Sequence, residues 1–390
     1  ESRVTSHESR VTPMQFRAAL FLLCTPILAV QSQDYRPAPV DLPESTYDGK
    51  LHTPRGIIVT EFAKVPGARA MAVAPDGSVY VSLPRRGEIV RLVDANKDGV
   101  AESQDVAVSG LNRPHGMAFR DGWFYIANTD GVVRVRLGGD GKAQGTPEKL
   151  NEYSSGGGHW SRSILFGDDG AMYVSIGSSC NICEEGSPDR AAVMRYDANG
   201  KNGKLFSSGL RNAVGMALHP GTKQVWVTQN ERDNLRPDYQ DLPPEEINIL
   251  REGANYGWPY CHSNRVPNPE FNDQSRCATT EPPAIGLQAH SAPLGITFLD
   301  QATRLPAEYR GDALVAFHGS WNRSEPTGAK VVRIRVRDGR PVGYEDFITG
   351  WQDTAGKRWG RPVDVVVHRD GSVLVSDDQA GLVLRVDKIR

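Results

Sequence analysis

An all-β fold, a six-bladed β-propeller with a long loop insertion between its fourth and fifth repeat phrases, is what the sequence predicts. Glycine and proline are abundant, 40 and 26 of 390 residues, which indicates many short elements joined by turns. No long amphipathic run of 3.6-residue period interrupts them. One phrase recurs along the chain: a turn carrying Asp or Gly, then alternating residues that end on a small polar group.

The first residues stand apart from this pattern. Residues 1–13 repeat ESRVT at Glu1 and Glu8, ahead of a plausible start at Met14, and read as a non-native or misassigned leader. Residues 14–33 read as a secretory signal peptide, with one Arg, an apolar run over 18–30, then small and polar residues. That run spans about 20 Å as a helix, short of the roughly 30 Å bilayer core, so a membrane anchor fits worse. Cys24 sits behind Leu22 and Leu23, where a lipoprotein signal needs small residues. Residues 34–54 read as a linker and 55–390 as the propeller, exported to the periplasm or the medium.

Six copies of the phrase follow. They are APDGSVYVS from Ala74, FRDGWFYIAN from Phe119, FGDDGAMYVSIG from Phe166, LHPGTKQVWVTQN from Leu218, YRGDALVAFHG from Tyr309 and HRDGSVLVSDD from His368. Most precede a second strand with an arginine, as in GEIVRL and GLVLRV. A lone hairpin cannot bury both faces, whereas sheets stacked in a ring can, so six phrases predict six blades. The intervals are 45, 47, 52, 91 and 59 residues, and the long one must hold an insertion. Ahead of the second phrase, DANKDGVAESQD puts Asp94, Asn96, Asp98 and Asp105 at calcium-loop spacing with Gly99 at the bend. A solvated Asp/Asn turn is the plainer reading of the same residues.

Removal of the signal leaves Cys180, Cys183, Cys261 and Cys277, an even number suited to an oxidising compartment. Three pairings are open, and Cys180–Cys183 with Cys261–Cys277 is favoured because each pair lies in one local insertion. CNIC could be a redox pair or half a haem site, but Glu184 stands where haem attachment needs His, so a structural staple is preferred. Net charge is −2 with both signs interspersed, which excludes an electrostatic footprint for nucleic acid or an anionic membrane surface. A neutral small molecule fits better as partner.

Residues with chemical capability gather at the ends of the phrases or just ahead of them, positions that ring closure brings to the channel. His159 follows three glycines, although an ordinary surface loop would look the same. Arg211 and Asn212 at a strand entrance offer a positive fork and an amide for an acidic planar ligand, or an ion pair with a neighbouring blade. TQNERDNL from Thr228 is polar where most phrases finish. His318, Asn322, Arg323, Arg361, Asp364, Asp377 and Asp378 complete the set, and His115 falls near the ring centre as a rim candidate.

In their order, the Gly-rich His approach, LRNAVGMALHP, NERD, EINIL with NYGWP, GRPVDV and SDDQAG, these clusters resemble the quinoprotein glucose/sorbosone dehydrogenases, the soluble aldose sugar dehydrogenases that use pyrroloquinoline quinone. The likeness covers residues 55–390, and LRN with EINxxxxGxNYGWP is its most specific part. It implies His159 as the general base at the anomeric hydroxyl and Arg211 as the arginine at the quinone oxygens. It implies Asn212, Asn230, Arg361 and Asp378 at the cofactor, with Arg323, or else Lys330, meeting a cofactor carboxylate. The carbonyls of Glu231 and Arg232 would hold Ca²⁺ against the quinone, and electrons would pass to an external acceptor. A planar tricarboxylate does require several cations and a divalent ion. Glucose-oxidising members carry a compact Gly-Pro stretch near Thr228, where this chain has the longer NERDNLRPDYQDLPPEE, as the sorbosone-type branch does. A calcium-dependent lactonase would need carboxylate and amide side chains in the channel rather than arginines, and a purely binding propeller would need no convergence of His, Arg and Asn.

Overall fold

The computed structural model describes Ser2 and residues 35–235 and 240–389; the leader, the signal peptide with Cys24, and residues 236–239 of the charged insertion lie outside the described residues. Six four-stranded antiparallel sheets form the blades. Their first strands are Met71–Val73, Met117–Arg120, Arg162–Phe166, Ala213–Leu218, Pro293–Phe298 and Pro362–Val367, and each touches its counterparts in both neighbouring blades, which closes an inner ring. The recurring phrases are the turn after this first strand plus the second strand, so their polar ends share one face of the ring.

Local chemistry explains why the phrase repeats. Asp76 accepts from the backbone N–H of Ser78 at 2.9 Å, fixing the turn, and from Arg91 on the third strand at 2.9 Å. Asp169 pairs with Arg195 at 2.7 Å and Asp370 with Arg385 at 2.6 Å in the same manner, and Asp312 with Arg333 at 2.7 Å. The recurrent arginine thus ties the third strand to the preceding turn.

Stability comes from the interfaces. Six buried apolar clusters lie one between each pair of adjacent blades, for example Tyr80 with Phe124 between the first and second and Trp226 with Val315 between the fourth and fifth. Burial of each such side chain stabilises by about 1.5–3 kcal/mol. The last sheet combines Pro362–Val367, Val373–Asp377 and Leu382–Lys388 with the early strand Ile57–Lys64, so the two ends of the propeller latch one blade.

Two departures from expectation concern the segments outside the repeats. The stretch read as a linker is folded: Glu44–Thr46 pairs with Leu51–Thr53, His52 bridges Thr349, and Leu51 is fully buried in the cluster between the last two blades. An isolated hydrophobic in a polar stretch gave no periodic signal for this. The calcium-loop spacing also changes, because Asp105 lies in the strand Ser103–Val108 opposite Arg91 and pairs with Lys142 at 3.4 Å. Asp94 and Asp98 gather Glu102 instead, while Asn96 donates to Asp98 at 3.0 Å.

The long insertion belongs to the fourth blade, on either side of its third strand Glu245–Ile249. It holds the hairpin Cys261–His262 with Val266–Pro267 and the helix Gln274–Ala278, capped by Asp273. The disulfides are Cys180–Cys183 and Cys261–Cys277, the local pairing that was favoured. Among the described residues no helix is long and apolar enough to cross a membrane.

Candidate active site

On the face where first strands begin and second strands end, the axis opens into a cavity of ≈ 1070 Å³. A second cavity of ≈ 630 Å³ opens on the opposite face, among the turns that join first to second strands. Val214, Leu294 and Val363 form an apolar cluster between them; Val214 lines both cavities, Leu294 the larger and Val363 the smaller. Glycines let the inner strands converge here: a Cβ on Gly215 would meet the Leu294 carbonyl at 2.0 Å, and one on Gly295 the Asp364 carboxylate at 2.1 Å.

The larger cavity gathers His159, Arg211, Asn212, Asn230, Glu231, Arg361 and Asp378 of the predicted site. His159 Nδ1 lies 3.0 Å from the Ser178 carbonyl and 2.9 Å from its hydroxyl, which assigns the ring proton to Nδ1 and leaves Nε2 with a free lone pair. Burial, and then the Arg211 charge, pull its pKa down to about 3, so the imidazole is neutral at ordinary pH. The Gly-rich approach is not loose. Buried Arg162 donates to the His159 carbonyl at 2.8 Å, and Arg190 binds the carbonyls of Ser154 and Gly156. Gly177 supplies the room, since a Cβ there would meet both Asn212 and His159 at 2.6 Å.

Arg211 is buried, and all five of its N–H groups are taken. Nε donates to the Asn181 carbonyl at 3.0 Å, Nη1 to the carbonyls of Asn230 and Glu231 at 3.2 and 2.7 Å, and Nη2 to Asn181 Oδ1 and Asp233 at 2.8 and 3.3 Å. It is therefore a fixed positive charge in the wall, braced by protein. Asn212 Nδ2 reaches Asn230 at 3.3 Å, and its buried Oδ1 has no partner among the described residues. Such an orphaned acceptor costs about 1–3 kcal/mol unless a guest or water meets it.

The opposite wall is built by the last blade and the first. Arg361 donates to the carbonyls of His318 and Gly319 at 2.9 Å each, and Asp378 accepts from Arg69 at 2.8 Å and from His318 Nε2 at 3.0 Å. Burial raises the Asp378 carboxyl, but His318 and Arg69 outweigh it and hold the group well below the usual carboxylate range. Burial brings His318 down to about 4.

Several expected residues lie elsewhere. Arg323 is committed to Gln240 and Asp241, and Lys330 to Asp346 at 2.7 Å, so neither lines the cavity. Of the two residues whose carbonyls were expected at the cation, Glu231 lines the cavity and Arg232 does not; the Arg232 side chain is buried against Asn268 and Glu270. His115 and Asp364 line the smaller cavity instead. Burial brings the Asp364 pKa up to about 6, and its carboxylate accepts from the Met71 N–H at 2.8 Å.

Other contributors were not singled out individually in the sequence, apart from Asn322. The Arg113 guanidinium lies 4.4 Å from the Trp160 ring centroid and that of Arg69 5.6 Å from it, a cation–π platform in the cavity wall. Asp233 accepts from Asn322 at 2.8 Å and faces His290 at 3.7 Å. Trp321 stands at the same cavity with 73% of its surface exposed.

Fold and site together define a six-bladed propeller with an arginine- and histidine-walled axial cavity. The model of the TrAA12-like family matches residues 55–388, and the chain belongs to that family. An uncharacterized protein of Borreliella burgdorferi is 33% identical over 55% of this chain and 56% of its own length. A pyrroloquinoline quinone-dependent sugar dehydrogenase of Hypocrea jecorina is 28% identical over 30% of this chain and 33% of its own length. The chain thus spans about half or less of these two curated relatives. Among solved structures, the holo form of the PQQ domain of Coprinopsis cinerea pyranose dehydrogenase superposes with TM-score 0.74 at 19% identity, over 91% of this chain and 100% of that one. The calcium structure of a Trichoderma reesei family AA12 enzyme gives 0.76 at 19% identity, over the same shares. These likenesses show the propeller fold.

Proposed function

We propose that the chain oxidises an aldose-type sugar at C1 with bound pyrroloquinoline quinone and Ca²⁺, passing electrons to an external acceptor outside the cell. The observation that carries this reading is a neutral His159, its Nε2 free, in one cavity with the guanidinium groups of Arg69, Arg113, Arg211 and Arg361. When bound, the quinone supplies the redox chemistry by accepting hydride from the sugar.

The residues suit an acidic planar guest. Arg113 has its guanidinium stacked on Trp160, and Arg361 leaves Nη1 without a protein partner among the described residues, so both can meet carboxylates. The orphaned Nε of Arg69 and Oδ1 of Asn212 offer a donor and an acceptor. Arg211, braced on every side, contributes charge without reorganising, which is how preorganised electrostatics stabilise developing negative charge. Glu231 and Asp233 bring oxygen atoms to the cavity wall, the donor chemistry a calcium ion takes, and the Glu231 carbonyl and Asp233 carboxylate share those oxygens with Arg211.

His159 Nε2 takes the proton of the anomeric hydroxyl. General-base help of this kind is worth about 10² to 10⁴ in rate. The reading of the signal peptide and the two disulfides supports export.

Adding the quinone and Ca²⁺ to purified apoprotein should give dye reduction with at least one of a panel of aldoses. Absence of quinone binding and of reduction with every sugar would reject the reading. His159→Ala should abolish turnover while the quinone still binds.

A further inference from the structure

We propose that Asn181, clasped between the disulfide cysteines Cys180 and Cys183, is a positioning residue that sets Arg211 in the wall of the cavity. The inference rests on the quinone site proposed above and assigns a role to the CNIC motif, which that site leaves without one.

Asn181 spends its polar groups on Arg211 and on the carboxylate partner of Arg211. Its backbone carbonyl accepts from Arg211 Nε at 3.0 Å and from the Trp258 indole at 3.2 Å. Its side-chain oxygen accepts from Arg211 Nη2 at 2.8 Å and from the Asp233 N–H at 2.9 Å, and its amide donates to the Asp233 carbonyl at 2.9 Å. Two of the five guanidinium donors, on adjacent nitrogens, therefore end on this one residue. Asn181 is not itself part of the cavity lining, so it acts through Arg211.

The disulfide closes a loop of sequence separation 3 around Asn181, a short covalent ring that restricts where its backbone can go. The same loop reaches the histidine. The Ser178 hydroxyl donates to the Cys180 carbonyl at 2.6 Å, while that hydroxyl and the Ser178 carbonyl receive His159 Nδ1. One short covalent ring thus references the two groups on which the proposed chemistry depends. The other charges facing His159, Arg162 and Arg190, are cations anchored independently of the loop.

The test is a double-mutant cycle on the full chain with a second readout that needs no cofactor. Quinone affinity in the presence of Ca²⁺, measured by equilibrium dialysis, should fall at least about ten-fold in Asn181→Ala, because the side-chain hydrogen bond to the charged Arg211 Nη2 and the two bonds that hold the Asp233 backbone are lost, although the residue 181 carbonyl still accepts from Nε. In an Arg211→Ala background the same substitution should cost less than about two-fold. Equal losses in both backgrounds would overturn the proposal. In the apoprotein, NMR titration of the His159 ring should show its midpoint rising in Asn181→Ala part of the way toward its value in Arg211→Ala, since Nη2 loses its side-chain acceptor and the positive group is held less firmly beside the ring. An unchanged midpoint would also overturn it. Asn181→Ser and the paired Cys180→Ser, Cys183→Ser variant answer the same two questions if the alanine variant does not fold. If the wild-type chain binds no quinone, the proposed function falls, and the titration still decides whether Asn181 sets Arg211.

Discussion

Burial sets the protonation of His159, and it makes the pH response of the base predictable in sign. The pKa lies near 3 because desolvation and Arg211 disfavour the imidazolium. An anionic guest placed in the same cavity favours the charged form, so the titration midpoint of His159 should rise when the quinone binds. NMR of the labelled apoprotein and of the quinone complex checks this. Trp321 offers a second test at this scale. Its exposed face at the cavity suits the apolar face of a sugar ring, so Trp321→Ala should raise KM several-fold while quinone affinity stays unchanged. Arg211, Asn212 and Asn230 were legible because each stands in a polar motif beside an apolar strand, and His159 because a Gly-rich approach precedes it in the order of motifs that carried the family resemblance. Arg69, Arg113 and His290 were not, since single charged residues in ordinary turns carry no mark of which side of a ring they face. Arg323 misled for the converse reason: the motif was right, but side chains on one loop turn to opposite sides, and this one found Gln240 and Asp241.

At the level of elements, the hairpins were written in the repeat phrase, because turn chemistry and two-residue alternation are local. The fourth strand of each blade was less visible. Glu148–Lys149 is exposed and two residues long, with nothing to alternate. The strand Ile57–Lys64 was unreadable as a blade component, since its partner Leu382–Lys388 lies at the other end of the chain and pairing over that distance leaves no local trace. It also defines a prediction. Truncation that removes residues up to 64 should abolish cooperative folding, whereas removal up to 54 should leave a folded ring with a lower Tm, because Leu51 and the Tyr47–Trp359 stack are lost but the latch remains. Thermal melts followed by circular dichroism would distinguish the two.

For the whole molecule, the six clusters between blades make stability a collective property, and buried histidines give it an acid limb. His115, His159 and His318 are neutral in the fold, with pKa values near 3, 3 and 4 through burial. The unfolded chain binds protons at each of them near pH 6.5, so their contribution is complete above that pH and is lost as pH falls toward 4 and below. Urea midpoints should decline over this window, and His115→Met should flatten the decline by removing one titrating group.

The apolar knot of Val214, Leu294 and Val363 separates the larger cavity from the smaller and makes it a cul-de-sac rather than a tunnel. Whatever enters must back out through the same doorway, so if the proposed function holds and both sugar and acceptor reach the cavity, they must call in turn and an excess of either should obstruct the other.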